Sequence, residues 1–164
     1  MAKFKFVGLE EYAEQLSKLA SEESVRSVCG ASIYAGADVA ADAIRDSIDS
    51  LPVVDYRKRG SSENKISGIT QAQKDGLRDG FGITPMKKDD GYYNVKIGFN
   101  GYNNVKTKKY PSGQPNSLIA RSVNSGTSFR EKIPFVDSTV RKVKPKVEKA
   151  MEEKFDSALS AEVD

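Results

Sequence analysis

Residues 80–99 read GFGITPMKKDDGYYNVKIGF, and the alternation of apolar and polar residues in this stretch decides the fold class. Its second half has the single-residue alternation that is typical of a half-buried strand, with apolar residues at Tyr93, Val95, Ile97 and Phe99. Asp90-Gly91 favours a tight turn between this strand and the segment GFGITP. The sequence therefore predicts an antiparallel β-hairpin over about residues 77–100, which needs further strands or a helix against it.

Helical periodicity precedes the hairpin. Over residues 22–48, apolar and small residues recur at helical spacing after a capped start at Ser21, and the pattern ends before Pro52. A helix of about 25 residues is roughly 37 Å long, which is more than a single small core requires. Because glycine and alanine dominate its middle, we expect a long alanine-rich helix that another backbone can approach closely.

Two shorter segments also have helical spacing. Residues 9–19 predict an amphipathic N-terminal helix that docks on a sheet or on a longer helix. Residues 117–125 predict another short helix, which Gly126 ends as a glycine at a helix C-terminus does.

The last segment predicts a C-terminal helix, because apolar residues from Val136 to Leu159 recur in steps of three or four. Asp137 or Ser138 is the expected cap, Pro145 predicts a kink or a restart, and residues 157–164 are expected to fray. Together the patterns predict one α+β domain over residues 1–164. Its small antiparallel sheet is packed by the long alanine-rich helix, the N-terminal helix and the C-terminal helix.

Two polar segments, at about residues 53–69 and 100–116, are predicted to be mobile loops. Long loops in a small domain are typically functional or disordered, so we expect these to protrude toward partners rather than to pack. The candidate partner-contact residues on them are Arg57, Lys58, Arg59, Lys106, Lys108, Lys109 and Tyr110. Short basic clusters also occur on solvated loop tips, and the sequence leaves that alternative open.

Composition argues against an enzyme. The chain has 26 basic and 23 acidic residues, and its net charge of +3 does not by itself indicate nucleic-acid binding. It has no histidine and a single cysteine, Cys29, which excludes the usual nucleophilic triads, an internal disulfide and most zinc sites. No paired catalytic carboxylates and no phosphate-binding loop are recognisable. We therefore expect a structural protein with no catalytic residue, cofactor or metal.

Targeting signals are also missing from the sequence. No apolar run approaches the ~20 residues of a membrane helix. The opening segment MAKFKFVGLEEY lacks the apolar stretch of a secretory signal. Absent processing, we expect the protein to remain in the compartment where it is made.

Several stretches follow one another in a characteristic order. VGLEEYAEQLSKL and the alanine-rich helix precede GLRDGFGITPMKKDDGYYNVKIGF, and SLIARSVNSGTSF and KIPFVDSTVRKVKPKVEKAMEEKF follow. This order resembles the tail-completion or head–tail joining proteins of tailed bacteriophages with long flexible tails. In that family a GTS element follows a short helix and a Pro-Phe pair opens the C-terminal helix. The matching residues are Gly126, Thr127, Ser128, Pro134 and Phe135.

The chain departs from the family at two places. The family often has an acidic residue just before the GTS element, where this chain has Asn124 and Ser125. It often has a second proline after the Pro-Phe pair, near Ser138. For the matching residues themselves, we expect Gly126 to be a backbone necessity. Pro134 and Phe135 are expected to set a helix start and fill the core, or else to form a contact between subunits.

The resemblance implies an α+β virion subunit without enzymatic activity or cofactor. Members of the family look like subunits of a ring, commonly of six copies, that ends tail growth at the head-proximal end of the tail tube. The implied partners are further copies of the chain, the tail-tube protein and the head-completion or connector protein, with no membrane. DNA would only pass through the ring. The implied location is the neck or tail of a virion that assembles in the bacterial cytoplasm.

Two other classes of function remain open from the sequence. One is another virion part, either a tail-tube subunit, which predicts long tubes, or a head-side adaptor. The other is a nucleic-acid-binding accessory protein that uses the basic residues at 57–59 and 106–109. Its binding would weaken steeply with salt.

Overall fold

The computed structural model describes Ser17, residues 20–55 and residues 60–163. Within these residues the helices are α1 (Glu22–Asp49), α2 (Gln71–Asp79), α3 (Asn116–Ser125) and α4 (Phe135–Val163). The strands are β1 (Phe81–Ile83), β2 (Lys87–Asp89), β3 (Tyr92–Asn94) and β4 (Ile97–Phe99). The predicted α+β class is confirmed. The predicted helix at 9–19, apart from Ser17, and the triplet Arg57, Lys58 and Arg59 lie outside the described residues.

The long helices α1 and α4 pack against each other as antiparallel neighbours. The Ser32 hydroxyl donates a hydrogen bond to the Met151 carbonyl oxygen at 2.8 Å, and the Ser47 hydroxyl donates to the Phe135 carbonyl oxygen at 3.0 Å. Between these contacts Gly36 lies directly beneath Met151, so a Cβ at this position would overlap the methionine side chain. The small residues of α1 therefore permit the close backbone approach that the sequence predicts.

The helix α4 starts and ends differently from the prediction. The Asn124 Oδ1 atom, at the end of α3, accepts hydrogen bonds from the backbone N–H groups of Val136 at 3.0 Å and Asp137 at 3.2 Å. Neither Asp137 nor Ser138 is the cap, because both lie inside the helix and the cap comes from an earlier element. The helix is continuous through Pro145, so the predicted restart does not occur, and it runs to Val163 through the tail that is expected to fray.

The four strands form one hairpin made of two short sheets. β2 pairs with β3 around Asp90-Gly91, where φ is +50° and +84°, so the predicted tight turn is present. β1 pairs with β4, with Phe81 opposite Phe99. The hairpin begins at Phe81 rather than at residue 77, because residues 77–79 belong to α2. In place of the further strands predicted, the described residues contribute isolated β-bridges, including one between Ile66 and Arg130.

The helix α2 is an element that the sequence analysis did not predict. The Thr70 hydroxyl accepts from the Gln73 N–H, and the Gln73 side-chain oxygen accepts from the Thr70 N–H, both at 3.2 Å. This capping box starts the helix, and Leu77 anchors it by complete burial. The core joins α1 to α2, the β1–β4 pair, α3 and the start of α4, and its buried residues are Ala41, Ile44, Ile48, Leu51, Ile69, Leu77, Phe81, Ile119, Ala120, Val123 and Phe135.

Candidate partner-binding surface

Three of the predicted contact lysines project from one tight turn. Thr107 and Tyr110 exchange backbone hydrogen bonds of 3.0 Å in both directions, and the Thr107 hydroxyl accepts a further one from the Tyr110 N–H at 3.1 Å. Lys108 and Lys109 occupy the tip, and both are exposed, as is Lys106. The Lys109 ammonium lies 5.6 Å from the centre of the half-buried Tyr110 ring. We call residues 106–110 the lysine turn, which presents three positive charges on a hydrogen-bonded base.

The segment 100–116 is anchored in the molecule by buried residues, which corrects the prediction that it only protrudes. Asn103 is 3% exposed, and its backbone N–H donates to the backbone carbonyl oxygen of Gln114 at 2.9 Å. Asn116 is 2% exposed and donates from Nδ2 to the Asn100 carbonyl oxygen at 2.8 Å. Both side chains lie against Gly76 of α2, where a Cβ would overlap Asn103. The lysine turn therefore lies in a segment that the buried residues Asn103 and Asn116 anchor on either side of it.

The segment 53–69 is also tied to the body of the protein in its described part. The Ile69 N–H donates to the Pro52 oxygen at 3.0 Å, and Ile69 is completely buried. The Ile66 N–H donates to the Phe129 oxygen at 3.0 Å, and the Glu131 N–H donates to the Ile66 oxygen at 2.9 Å. Ile66, near the end of the predicted loop, is thus held beside residues 129–131, which follow the GTS element.

Gly126, Thr127 and Ser128 form a turn immediately after α3. Gly126 has φ +73° and ψ 170°, a backbone conformation that favours glycine, and a Cβ there would also be crowded at 3.1 Å from the Lys132 Cβ. The Thr127 N–H donates to the Arg130 oxygen at 3.0 Å, whereas Ser128 is exposed. We call residues 126–130 the motif turn. Gly126 ends the helix as the sequence predicts.

Arg130 connects the motif turn to both predicted loops. Its guanidinium, in a side chain that is 3% exposed, donates to the Gly68 carbonyl oxygen and, at 3.4 Å, to the Gln73 Oε1 atom. The Gln73 Nε2 group donates in turn to the Gln114 Oε1 atom at 2.8 Å. We call Arg130, Gln73 and Gln114 the buried polar cluster. It links the motif turn, the first turn of α2 and the segment that carries the lysine turn.

Pro134 and Phe135 lie at the start of α4. Phe135 is 5% exposed and belongs to the core, where its ring centre is 6.1 Å from that of Phe99. Pro134 is half-buried, and its carbonyl oxygen accepts the Ser138 N–H at 2.9 Å. The expected helix-start and core roles therefore account for both residues.

A separate ionic contact fastens the hairpin to α1. The Lys88 ammonium lies 2.8 Å from the Glu22 carboxylate, and this hydrogen bond, followed by the charge attraction, lowers the pKa of Glu22 and raises the pKa of Lys88. The pair is exposed and positions β2 on the first turn of α1. Within the described residues, no group of three histidine, cysteine, aspartate or glutamate residues is placed to hold a metal ion.

Sequence reasoning missed the polar residues on which this surface depends. Arg130, Gln73, Asn103 and Asn116 stand in polar stretches and read as solvent-facing, although each is buried. One local signal was present, because Thr70 and Gln73 have the spacing of a capping box. The pairing of Arg130 with Gly68 has no local signal.

Comparison with protein-family models finds no match, and no curated protein and no solved structure is significantly similar to the chain. None of the helices in the described part of the chain is long and apolar enough to cross a membrane.

Proposed function

We propose that the chain is a structural virion protein of a tailed phage. In this role it is a tail-completion or head–tail joining subunit that caps the tail tube as a ring and docks the tube to the head connector. The observation that carries the proposal is the buried polar cluster. It holds the motif turn, the end of segment 53–69 and the segment with the lysine turn on one rigid base. A docking protein needs such a base, because contact segments that are already ordered lose less entropy on binding.

The order of elements supports the same proposal. The GTS residues follow the short helix α3, and the Pro-Phe pair opens the long helix α4, which is the order that the resemblance implies. The two long helices extend well beyond the core cluster, whose residues lie in the C-terminal half of α1 and at the start of α4. Helices that are longer than their own core offer surface to neighbouring subunits.

The chemistry of the buried polar cluster favours docking over catalysis. Two amides and a guanidinium form it, and these side chains supply hydrogen-bond donors and acceptors rather than a nucleophile. Their hydrogen bonds join them to one another and to the backbone of Gly68 and Thr70, so they fix the positions of chain segments. The lysine turn would steer the subunit toward acidic surfaces on the tail tube or the connector.

Complementation of a phage that lacks the gene tests the proposal. The variant Lys106→Glu/Lys108→Glu/Lys109→Glu reverses the lysine turn, and the control Lys65→Glu/Lys87→Glu/Lys96→Glu makes the same charge change at other exposed lysines. We expect unjoined heads and tails without the gene, rescue by the wild type and by the control, and a loss of joining with the lysine-turn variant. Equal rescue by all three proteins would contradict the role of the lysine turn.

The same experiment separates the alternative functions. Gene loss that removes whole tails would favour a tail-tube subunit. Joined, tailed particles without the gene would overturn the proposal. Steeply salt-dependent DNA binding by the purified protein would then favour the nucleic-acid accessory role, for which the exposed lysine turn is the supporting observation.

A further inference from the structure

Each long helix has one local run of like charge, and the two runs are of opposite sign. On α1 the exposed residues Asp38, Asp42 and Asp46 follow one another in steps of four, which places them along one side of the helix. On α4 the exposed charged residues between positions 141 and 149 are basic at Arg141, Lys142, Lys144, Lys146 and Lys149, and acidic at Glu148. We call Asp38, Asp42 and Asp46 the acidic face, and Arg141, Lys142 and Lys146 the basic face.

The middle of each face points away from the contact between α1 and α4, across which Gly36 packs against Met151. At 3.6 residues per turn, Asp38 and Asp42 are rotated by roughly 160° and 120° from Gly36, and Lys142 and Lys146 by roughly 180° and 140° from Met151. Asp46 and Arg141, at roughly 80°, lie on the flanks of the helix pair. The two faces are therefore on outer sides of the helix pair.

Within the described residues, the charges of the two faces are not paired with each other. The ion pairs of α1 join Asp42 to Arg45 at 2.7 Å along the helix, Asp49 to Arg78 and Glu22 to Lys88. The ion pairs of α4 run along that helix, from Lys144 to Glu148 and from Lys149 to Glu153. Asp38, Asp46, Arg141, Lys142 and Lys146 appear in none of these described pairs, so their charges are available to another molecule.

The two faces stand at the same height along the helix pair. Gly36 lies against Val147 and Met151, and the Ser47 hydroxyl bonds to the Phe135 oxygen. Because the helices are antiparallel, Asp42 is therefore level with the neighbourhood of Arg141. A second copy whose basic face bound the acidic face of the first would therefore be displaced perpendicular to the helix axes and not along them.

We propose that the acidic face of one copy binds the basic face of the next copy. Such a head-to-tail contact uses two different surfaces, so it generates a ring if the rotation closes and a filament if it does not. The equal height of the faces favours the ring. The proposal deepens the proposed function by naming the contact between subunits, and the closed ring rests on that function.

Charge supplies the register and the salt dependence of this contact. Single exposed ion pairs are weak, so the interaction needs the row of charges on each helix rather than one pair. Exposed charges are screened over ~10 Å at 0.1 M salt, and self-association should therefore weaken at high ionic strength.

A charge-swap experiment with the full chain tests the contact by sedimentation velocity in low and high salt. The acidic-face variant is Asp38→Lys/Asp46→Lys, and the basic-face variant is Lys142→Glu/Lys146→Glu. We expect each to weaken self-association by ~10-fold or more, since each places like charges opposite one another. The chain that carries all four substitutions should associate again, because its two faces have exchanged sign. An equimolar mixture of the two double variants should also associate, because the unaltered basic face of the first variant can bind the unaltered acidic face of the second.

Matched controls separate this contact from general charge effects. Glu63→Lys/Asp79→Lys and Lys65→Glu/Lys87→Glu change the net charge equally at exposed sites elsewhere, and they should associate like the wild type. Circular dichroism checks that every variant is folded. A monomeric wild type in low salt, unchanged association in both face variants, or no restoration in the fourfold variant would overturn the proposal.

Failure of this contact and failure of the proposed function give different results. If the chain completes tails in the phage but the charge-swap variants self-associate like the wild type, the proposed function stands and the copies contact one another through another surface. A basic-face variant that loses only DNA binding, with self-association unchanged, would make that face a nucleic-acid surface and would overturn the contact between copies.

Discussion

Arg130 donates a hydrogen bond from its buried guanidinium to the carbonyl oxygen of Gly68, which precedes it by 62 residues. Through Gln73 the same side chain is linked to Gln114. A charged residue therefore adds a common link between the motif turn, the end of segment 53–69 and the segment that carries the lysine turn. The candidate binding surface depends on this interior arrangement.

Replacement of Arg130 by methionine should lower the free energy of unfolding. The variant loses hydrogen bonds from a charged donor and leaves the buried Gly68 oxygen without this donor, which together cost about 2–4 kcal/mol. Chemical denaturation of Arg130→Met beside Arg121→Met measures the difference, since Arg121 is exposed and its loss should change stability by no more than ~0.5 kcal/mol. Equal stabilities would show that the buried polar cluster does not hold the segments.

A side chain at Gly126 should destabilise the folded protein. Alanine at φ +73° and ψ 170° is strained, and its Cβ would crowd Lys132, so Gly126→Ala should cost about 1–3 kcal/mol. Gly82 in β1 is the matched control, because a Cβ there meets nothing within 4 Å. Thermal unfolding should leave Gly82→Ala close to the wild type, and a comparable loss in both variants would contradict the special role of Gly126.

Asn124 should be required as the remote cap of α4. Asn124→Ala removes the acceptor for two backbone N–H groups and should cost about 1 kcal/mol, within the range measured for lost caps. Asn124→Asp keeps the acceptor, and its negative charge is favourable at the start of α4 but unfavourable at the C-terminal end of α3, so it should be more stable than Asn124→Ala at neutral pH. Denaturant melts of both variants check this order. A stable alanine variant would mean that the cap contributes nothing.

The exposed pair of Glu22 and Lys88 should be visible in a titration. The Lys88 ammonium lowers the pKa of the Glu22 carboxyl, so the contact stabilises the folded state above the unfolded pKa of Glu22. This contribution is lost as the pH falls through the lowered folded value. NMR titration should find that Lys88→Met raises the pKa of Glu22, and an unchanged value would show that the two side chains are not paired in solution.

Local features of the fold were predictable from the sequence, and long-range polar contacts were not. Asp90-Gly91 favours a tight turn through its own backbone conformation. The small residues of α1 indicate a closely packed neighbour, although they do not identify which element it is. The helix α2 escaped notice because Leu77 is its main apolar anchor and the buried Gln73 reads as polar surface. The cap from Asn124 and the bond from Arg130 to Gly68 join distant parts of the chain, so no spacing rule reveals them.

The most direct test of the proposed role is the position of this chain in the virion. Purified particles labelled with an antibody against the chain and imaged by electron microscopy should carry the label at one point, the head-proximal end of the tail. Label along the whole tail, label on the head shell, or infectious particles without label would contradict the proposal.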